Sequence, residues 1–339
     1  MRRLVVLALL LVPLAPALLP AAPREGQPRL DPRQLSALPS YVQRVEAAIV
    51  GLSVEVPRDR PSALTLGAER RGSGVVFDPA GYALTVSYVL LDAARVEATL
   101  RDGRKVPARL VGLDLEVGVG VVKLEGPGPW PAAALGDSTK VAAGDVVGTV
   151  GLSDEGRLSA MPARIEEVRS FTAAWEYMLE RAFVVAPANP AFGGAALVDS
   201  AGAVIGVTSL RLGEAPHVNL AIPIEKFLPG KDEILAKGRV ASRRPRPWLG
   251  LYTVSVEGAG VVVSGVSPAG PARSAGFRRG DLIVRLNGEK VSSQEQFYRR
   301  LWQGSLEQEV HLVVQRDTGF EAITVRPADR YRFFRTTGR

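Results

Sequence analysis

The sequence predicts a mostly β protein of two domains with a Pro- and Arg-rich segment between them. Over residues 70–225, short β-branched runs alternate with Gly, Asp-Gly and Asp-Pro-Ala-Gly turn signals, which is typical of a sandwich or barrel. Over residues 245–327, strand-like runs and two short helical stretches follow one another, which predicts a smaller α+β domain. The 339 residues are enough for two domains of ordinary size and a leader.

Composition excludes several classes of site. The chain has no cysteine, so disulfides, thiol catalysis and thiolate metal sites are absent. The formal net charge is +7, but the arginines are spread along the chain, so we interpret them as a solvated surface and expect no nucleic-acid partner. The sequence contains no phosphate-binding loop, cofactor motif or metal-ligand constellation, and we therefore expect no cofactor and no metal.

The N-terminus predicts an export address. Two arginines precede an unbroken apolar run from Leu4 to Val12, and prolines with small alanines follow, including Ala15-Pro16-Ala17 as a cleavage site. Residues 1–22 are thus predicted to be a signal peptide, with an uncleaved anchor as the alternative. Residues 23–40 are predicted to be a flexible tether. We expect a location in the periplasm or cell envelope, with contact to the inner membrane only through an uncleaved N-terminal segment.

The larger predicted domain opens with a helix. Apolar residues at helical spacing predict a helix from Tyr41 to Val50, and the alternation in Leu52 to Val56 predicts a strand after it. Further β-branched runs that end at turn signals predict strands in Val75 to Phe77, Val96 to Leu100, Val146 to Val150 and Val204 to Val207.

The order and spacing of these segments resemble a known family. Gly72 to Phe77, Gly81 to Thr85 and Val86 to Leu90 follow the opening of the HtrA/Deg family of trypsin-like serine proteases. Without a gap, the pattern then runs through the turn Asp102-Gly103-Arg104 to Lys123. The resemblance implies a trypsin-like double β-barrel over residues 41–230.

Three positions depart from the family pattern. The family places a histidine, an aspartate and a serine where this chain has Tyr88, Gly118 and Gly193. A gap that aligns Gly193-Gly194 with the Gly-Gly after the family's serine would delete the serine instead of replacing it. Because a serine protease needs a nucleophile beside an oriented base, we expect no catalytic residue here and an HtrA-like pseudoprotease that is not an enzyme.

A few other residues of the chain are candidates for catalytic groups. A Ser–Lys dyad of Ser87 and Lys123 would need no histidine. The two histidines, His217 and His311, are predicted to be a loop residue and a strand residue. The family's oxyanion hole is also altered, since Ala191 replaces a glycine and Phe192 a polar residue. Either drift or a deliberate plug of the cleft by that phenylalanine would account for the change.

A linker is predicted over residues 231–246, a PDZ domain over 247–328 and a basic C-terminal tail over 329–339. The segment Pro247 to Leu251 resembles the carboxylate-binding loop of HtrA-type PDZ domains, and Gly280 to Gly288 is the most diagnostic PDZ segment.

The resemblance also implies a peptide-binding groove. PDZ domains add an extended peptide to an exposed sheet edge. Backbone N–H groups of Leu249, Gly250 and Leu251 would receive the terminal carboxylate. The last side chain of the peptide would lie in an apolar pocket framed by Leu249 and Leu251 with Phe297 and Leu301, and Trp248 belongs to the same loop. For Leu251 and Leu301, a place in the domain core is the equal alternative.

We therefore expect a protein that binds unfolded peptides or protein C-termini as an adaptor, chaperone-like or regulatory factor. The first alternative is an active serine-type endopeptidase of envelope protein quality control that uses a nonstandard residue set. The second is a structural envelope-tethering protein. By resemblance, a homotrimer is implied, and a mixed assembly with an active paralogue is the other option.

Overall fold

The computed structural model describes residues 39–338, so the predicted signal segment and nearly all of the predicted tether lie outside the described residues. Within this range, the α-helices are α1 (Ser40–Val45), α2 (Ala63–Leu66), α3 (Ser87–Leu90), α4 (Ile224–Phe227), α5 (Lys231–Lys237), α6 (Pro271–Ser274) and α7 (Gln294–Gln303). None of the helices in the described part has the length and apolar character needed to cross a membrane.

The strands of the first part are β1 (Ile49–Glu55), β2 (Glu69–Asp78), β3 (Tyr82–Val86), β4 (Arg95–Thr99), β5 (Lys105–Asp114) and β6 (Val119–Leu124). They close into a barrel in the order β1-β2-β3-β6-β5-β4. The next six are β7 (Val146–Leu152), β8 (Leu158–Ala173), β9 (Tyr177–Ala186), β10 (Ala196–Val198), β11 (Val204–Leu212) and β12 (Val218–Pro223). They close a second barrel in the order β10-β11-β12-β9-β8-β7.

The barrel cores explain why these runs are strands. In β6 every residue except Lys123 is buried, which is possible because closure of the barrel leaves no strand edge exposed to water. The predicted helix over 41–50 is too long: α1 ends at Val45, a short 3-10 turn follows, and β1 begins at Ile49. The cause is tertiary, since Ile49 pairs with Val75 on β2 and is fully buried there.

The C-terminal strands are β13 (Pro247–Trp248), β14 (Leu251–Val256), β15 (Gly260–Val266), β16 (Leu282–Leu286), β17 (Glu289–Lys290), β18 (Val310–Arg316), β19 (Gly319–Val325) and β20 (Ala328–Asp329). One sheet has the order β14-β15-β16-β18-β19, with β17 beside β16, so β14 is an edge strand. The Ser293 side chain accepts a hydrogen bond from the Gln296 N–H and so caps the start of α7.

The segment between the domains is more ordered than an extended linker. Residues 231–237 form α5, and two of the arginines after it make ion pairs with the first barrel. Arg243 lies 2.8 Å from the buried Asp114 carboxylate, and Arg246 lies 3.2 Å from Glu116. The C-terminal segment also returns to this barrel, where the Leu115 N–H donates to the Tyr331 hydroxyl at 2.9 Å. These contacts fix the smaller domain against the barrels.

Candidate functional site

The first candidate site is the cleft between the two barrels. Tyr88 lies on α3 in the first barrel, and its hydroxyl donates to the Ser209 carbonyl of β11 at 2.7 Å. Gly193 lies opposite, where a Cβ atom would come within 3.1 Å of the Tyr88 hydroxyl. Two of the three positions singled out in the sequence therefore meet across the cleft.

Gly118 lies at the floor of the same cleft. Its carbonyl accepts a hydrogen bond from the Ser87 N–H at 2.8 Å, next to Tyr88. Its φ angle is +89°, which favours glycine. Above it, the Tyr177 hydroxyl donates to the Val117 carbonyl at 2.6 Å. A Cβ atom on Gly118 would lie only 2.7 Å from that hydroxyl.

The groups around this cleft mostly bond to one another. Burial raises the pKa of Tyr88 far above its usual value, so its phenol stays protonated and acts as a donor. The Ala191 N–H, at a position that the family uses for an oxyanion hole, donates instead to the Asn189 side chain at 2.9 Å. Phe192 is half-buried, and its carbonyl accepts from the Thr208 hydroxyl at 2.7 Å.

The structure does not bring the proposed Ser–Lys dyad together. Ser87 follows the C-terminal end of β3, whereas Lys123 pairs with Tyr82 at the opposite end of that strand. The Lys123 ammonium lies over the Tyr82 ring at 5.1 Å. His217 lies in the loop before β12, with its ring at 2.7 Å from the Gly213 carbonyl. His311 is an exposed residue of β18, so both histidine predictions are confirmed.

The second candidate site is the predicted carboxylate-binding loop. The Glu176 carboxylate lies against it and accepts hydrogen bonds from the Leu249 N–H at 3.0 Å and the Leu251 N–H at 2.7 Å. The Gly250 N–H also stabilises this carboxylate. Gly250 has a φ of +82°, and a Cβ there would lie 2.7 Å from Gly270 Cα. The backbone can adopt this curved conformation because residue 250 is glycine.

The residues before Glu176 extend along the edge strand β14. The Thr253 N–H donates to the Ala174 carbonyl at 2.8 Å. The Tyr298 hydroxyl on α7 donates to the Ala173 carbonyl at 2.7 Å and lies 3.1 Å from the Glu176 N–H, which donates to it. The turn between β8 and β9 therefore lies between β14 and α7, which is where a PDZ domain adds its peptide.

The apolar residues predicted to frame the peptide pocket are buried in the core of this domain. Leu249, Leu251, Phe297 and Leu301 are each at most 1% exposed. Met178 of β9 joins the same cluster, although it belongs to the second barrel.

Trp248 makes a different contact from the rest of its loop. Its ring lies 5.0 Å from the Phe333 ring and 6.0 Å from the Phe334 ring. This residue therefore holds the C-terminal segment.

The carboxyl group of Glu176 is buried. Only 5% of the residue is exposed, and burial raises its pKa to about 7, against the lowering effect of the Leu249 and Leu251 N–H groups and of Arg330. Burial in turn lowers the pKa of Arg330, whose Nε atom has no hydrogen-bond partner among the described residues. A cation and a carboxylate thus share this site.

Sequence reasoning missed Glu176, Tyr298 and Arg330. Glu176 lies in a hairpin turn, Ala174-Trp175-Glu176, that contains no glycine or other turn signal. Its φ is +53°, which is uncommon for a glutamate. Nothing local in the sequence indicates that this side chain reaches a loop more than 70 residues later.

Two family descriptions match the chain. The description "Trypsin-like peptidase domain" matches residues 72–207, and "PDZ domain" matches residues 247–326. These ranges contain Tyr88, Gly118, Glu176 and Gly193 and the loop from Trp248 to Leu251.

Several curated relatives are similar to most of this chain. "Putative serine protease HhoA" of Synechocystis sp. is 30% identical over 291 residues, which are 76% of this chain and 70% of that protein. "Serine protease Do-like HtrA" of Lactobacillus helveticus is 28% identical over 73% of this chain and 65% of its own length. "Probable periplasmic serine endoprotease DegP-like" of Halomonas elongata is 29% identical over 79% of this chain. The chain spans only 59% of that last relative.

A solved structure agrees with the fold. The structure described as "HtrA-type protease AlgW with decapeptide" has a TM-score of 0.53 and 26% identity, and covers 86% of this chain and 98% of that chain. The names of these relatives contradict one expectation from the sequence. We expected a chain that is not an enzyme from positions 88, 118 and 193, but the relatives are named serine proteases and endoproteases.

Proposed function

Because this chain belongs to the HtrA family of trypsin-like serine proteases with a PDZ domain, we propose that it recognises protein C-termini or unfolded peptides in a proteolytic system of the cell envelope. The observation that carries this proposal is the convergence of the Leu249 and Leu251 N–H groups on one carboxylate. Three successive backbone donors around a glycine form a site for an anionic group of this shape.

The direct test is peptide binding to the full chain. A fluorescein-labelled octapeptide that copies residues 169–175 and ends in valine is titrated with a free or an amidated C-terminus, and anisotropy is measured. We expect the free acid to bind at least about tenfold more tightly than the amide, since charge-assisted hydrogen bonds to the loop are lost in the amide. Equal affinity of the two forms would count against recognition of a terminal carboxylate.

The second proposed function is peptide-bond hydrolysis, which the names of the relatives favour. Here it would use groups other than side chains at 118 and 193, since glycine has none to offer. Ser87 is the nearest hydroxyl along the chain to Tyr88 and is half-buried. Its activating base is not Lys123, which lies at the far end of the strand pair.

Hydrolysis is tested with an unfolded protein substrate, with and without the octapeptide. An endopeptidase predicts cleavage that follows the protein through purification, and fluorophosphonate labelling that Ser87→Ala abolishes. No cleavage and no labelling in either condition would end this second proposal and leave peptide recognition untouched.

The export address is proposed on two grounds. The N-terminal sequence has the charge and apolar pattern of a signal segment, and the relative from Halomonas elongata is named periplasmic. Cleavage of the signal, assembly as a trimer and mixed assembly with a paralogue stay predictions.

A further inference from the structure

The PDZ loop and the second barrel meet at the turn between β8 and β9. We propose that this hairpin is an internal ligand of the PDZ groove, with the Glu176 side chain in the place of a terminal carboxylate, and that a partner's C-terminus binds by displacing it. The inference rests on the proposed function, because it concerns the same loop.

The hydrogen-bond register of the hairpin carries the inference. The Glu176 side-chain carboxylate accepts a hydrogen bond from the Leu251 N–H. The backbone carbonyl of Ala174, two residues earlier in the hairpin, accepts one from the Thr253 N–H, two residues later in β14. Residue numbers thus decrease along the hairpin while they increase along β14, as they do for a strand that is added antiparallel to β14. The turn thus presents its carboxylate and its backbone in the order that an added peptide strand would have.

A second set of contacts comes from α7. The Tyr298 hydroxyl donates to the Ala173 carbonyl and accepts from the Glu176 N–H, and the Gln294 side-chain amide donates to the Ala173 carbonyl at 3.2 Å. These bonds satisfy backbone groups of the hairpin that would otherwise be buried without partners. Both walls of the groove therefore hold the hairpin.

The internal ligand is also held at a cost. Glu176 has a φ of +53°, a conformation that costs a non-glycine residue about 1 kcal/mol or more, and its carboxylate is buried in a pocket that Arg330 also lines. An incoming peptide with an unstrained backbone avoids the first of these costs, while its terminal carboxylate takes the same buried place. Because the hairpin is tethered, it competes at a high effective concentration, and the apparent affinity for a peptide falls by the fraction of grooves that are open.

The first experiment measures occupancy without any peptide. Amide hydrogen exchange is followed in the full chain at pH 6.5 at Leu249, Leu251 and Thr253. In Glu176→Ala we expect exchange at least about tenfold faster at these amides, because their acceptors leave with the hairpin. Unchanged protection in this variant would overturn the inference.

The matched control is Glu180→Gln. Glu180 lies on the same hairpin and pairs with Arg299 of α7 at 3.3 Å, but it is 69% exposed and does not contact the loop. The Glu180→Gln variant removes one charge from the contact between the same two domains. We expect no change in hydrogen exchange at the amides of Leu249, Leu251 and Thr253. If Glu176→Ala does not fold, Tyr298→Phe replaces it, since loss of the hydroxyl weakens the hold on Ala173 and should act in the same direction.

The second experiment separates this inference from the proposed function. The free-acid octapeptide is titrated into wild type and Glu176→Ala, and we expect the variant to bind about tenfold more tightly. Equal affinity in both would overturn the internal ligand and leave peptide recognition standing. Faster amide exchange in the variant without binding to either protein would support the internal ligand and refute recognition of free C-termini.

Discussion

The cleft between the barrels and the PDZ loop differ in how their polar groups are satisfied. In the cleft, partners come from the cleft itself: the Tyr88 hydroxyl bonds to Ser209 and the Ala191 N–H to Asn189. At the loop, the partner of the backbone donors is a charged side chain from another domain, Glu176. The hydrogen bonds of the cleft join uncharged groups within one site, and no ligand needs to replace them. The carboxylate at the PDZ loop comes from a hairpin of another domain, so a second carboxylate can take its place.

The comparison also shows how the two sites are connected. Glu176 and Tyr177 are adjacent, and their side chains lie in different sites. The first meets the PDZ loop, and the second donates to Val117 beside Gly118. The same hairpin therefore contacts both sites.

The largest expected effect concerns the charge at the loop. Arg330→Met removes the cation beside the buried Glu176 carboxylate, and at pH 8 we expect the free energy of unfolding to fall by about 3 kcal/mol, because an unpaired buried charge is left. Urea unfolding monitored by tryptophan fluorescence measures the change.

The double variant Glu176→Gln with Arg330→Met is the control for this pair. It removes both charges, so most of the loss should be recovered, since neither charge is then left buried without the opposite charge. If the double variant loses as much unfolding free energy as Arg330→Met and Glu176→Gln lose together, Arg330 does not act through Glu176.

The sequence predicted the receiving site and not its occupant, for a physical reason. The loop around Gly250 and the cap at Ser293 depend on a few neighbouring residues, so their patterns can be read locally. The pairing of Glu176 with Leu249 depends on how the second barrel docks on the PDZ domain. The same holds for Arg243, which the sequence placed in an extended linker and which reaches Asp114 across 129 positions.

The barrels show the same division between local and distant causes. The runs in β7 and β11 were predicted as strands because their β-branched residues and the turn signals that follow are visible in the sequence. The start of β1 was misplaced, since helical apolar spacing continues to Val50 while pairing with β2 pulls Ile49 into the barrel. Where Tyr88, Gly118 and Gly193 lie relative to one another followed only from the barrels as a pair.

A smaller effect is expected from pH. The pKa of Glu176 is raised from the usual 4.5 to about 7, so the docked hairpin binds the proton more tightly than the unfolded chain does. The stabilisation is thus fully present below about pH 4.5, is lost as pH rises to about 7, and changes little above that. The difference in unfolding free energy between wild type and Glu176→Gln should fall by about 2 kcal/mol from pH 5 to 7.5, below the roughly 3 kcal/mol that the whole shift allows.

The groups that face this carboxylate do not titrate between pH 5 and 7.5, so the pH dependence can be assigned to Glu176. Arg330 and the phenol of Tyr298 keep their protonation over this range, because the pKa of the tyrosine is raised by burial and that of the arginine, although lowered, belongs to a strong base. The Gln variant cancels the titration of distant groups. A difference that grows with pH would show that the loop favours the ionised carboxylate more than burial disfavours it.

The smallest effect is expected in the cleft, at Gly193→Ser. A Cβ atom there meets the Tyr88 hydroxyl at 3.1 Å and other atoms only at 3.9 Å, so a shift of a few tenths of an ångström by one side chain makes room. We expect a loss below about 1 kcal/mol in the free energy of unfolding. Gly118→Ala is the contrast, with an expected loss of about 3 kcal/mol, because its φ is +89° and its Cβ would lie 2.7 Å from the Tyr177 hydroxyl. Equal losses in urea unfolding would mean that the bond between Tyr88 and Ser209 cannot yield to the added side chain.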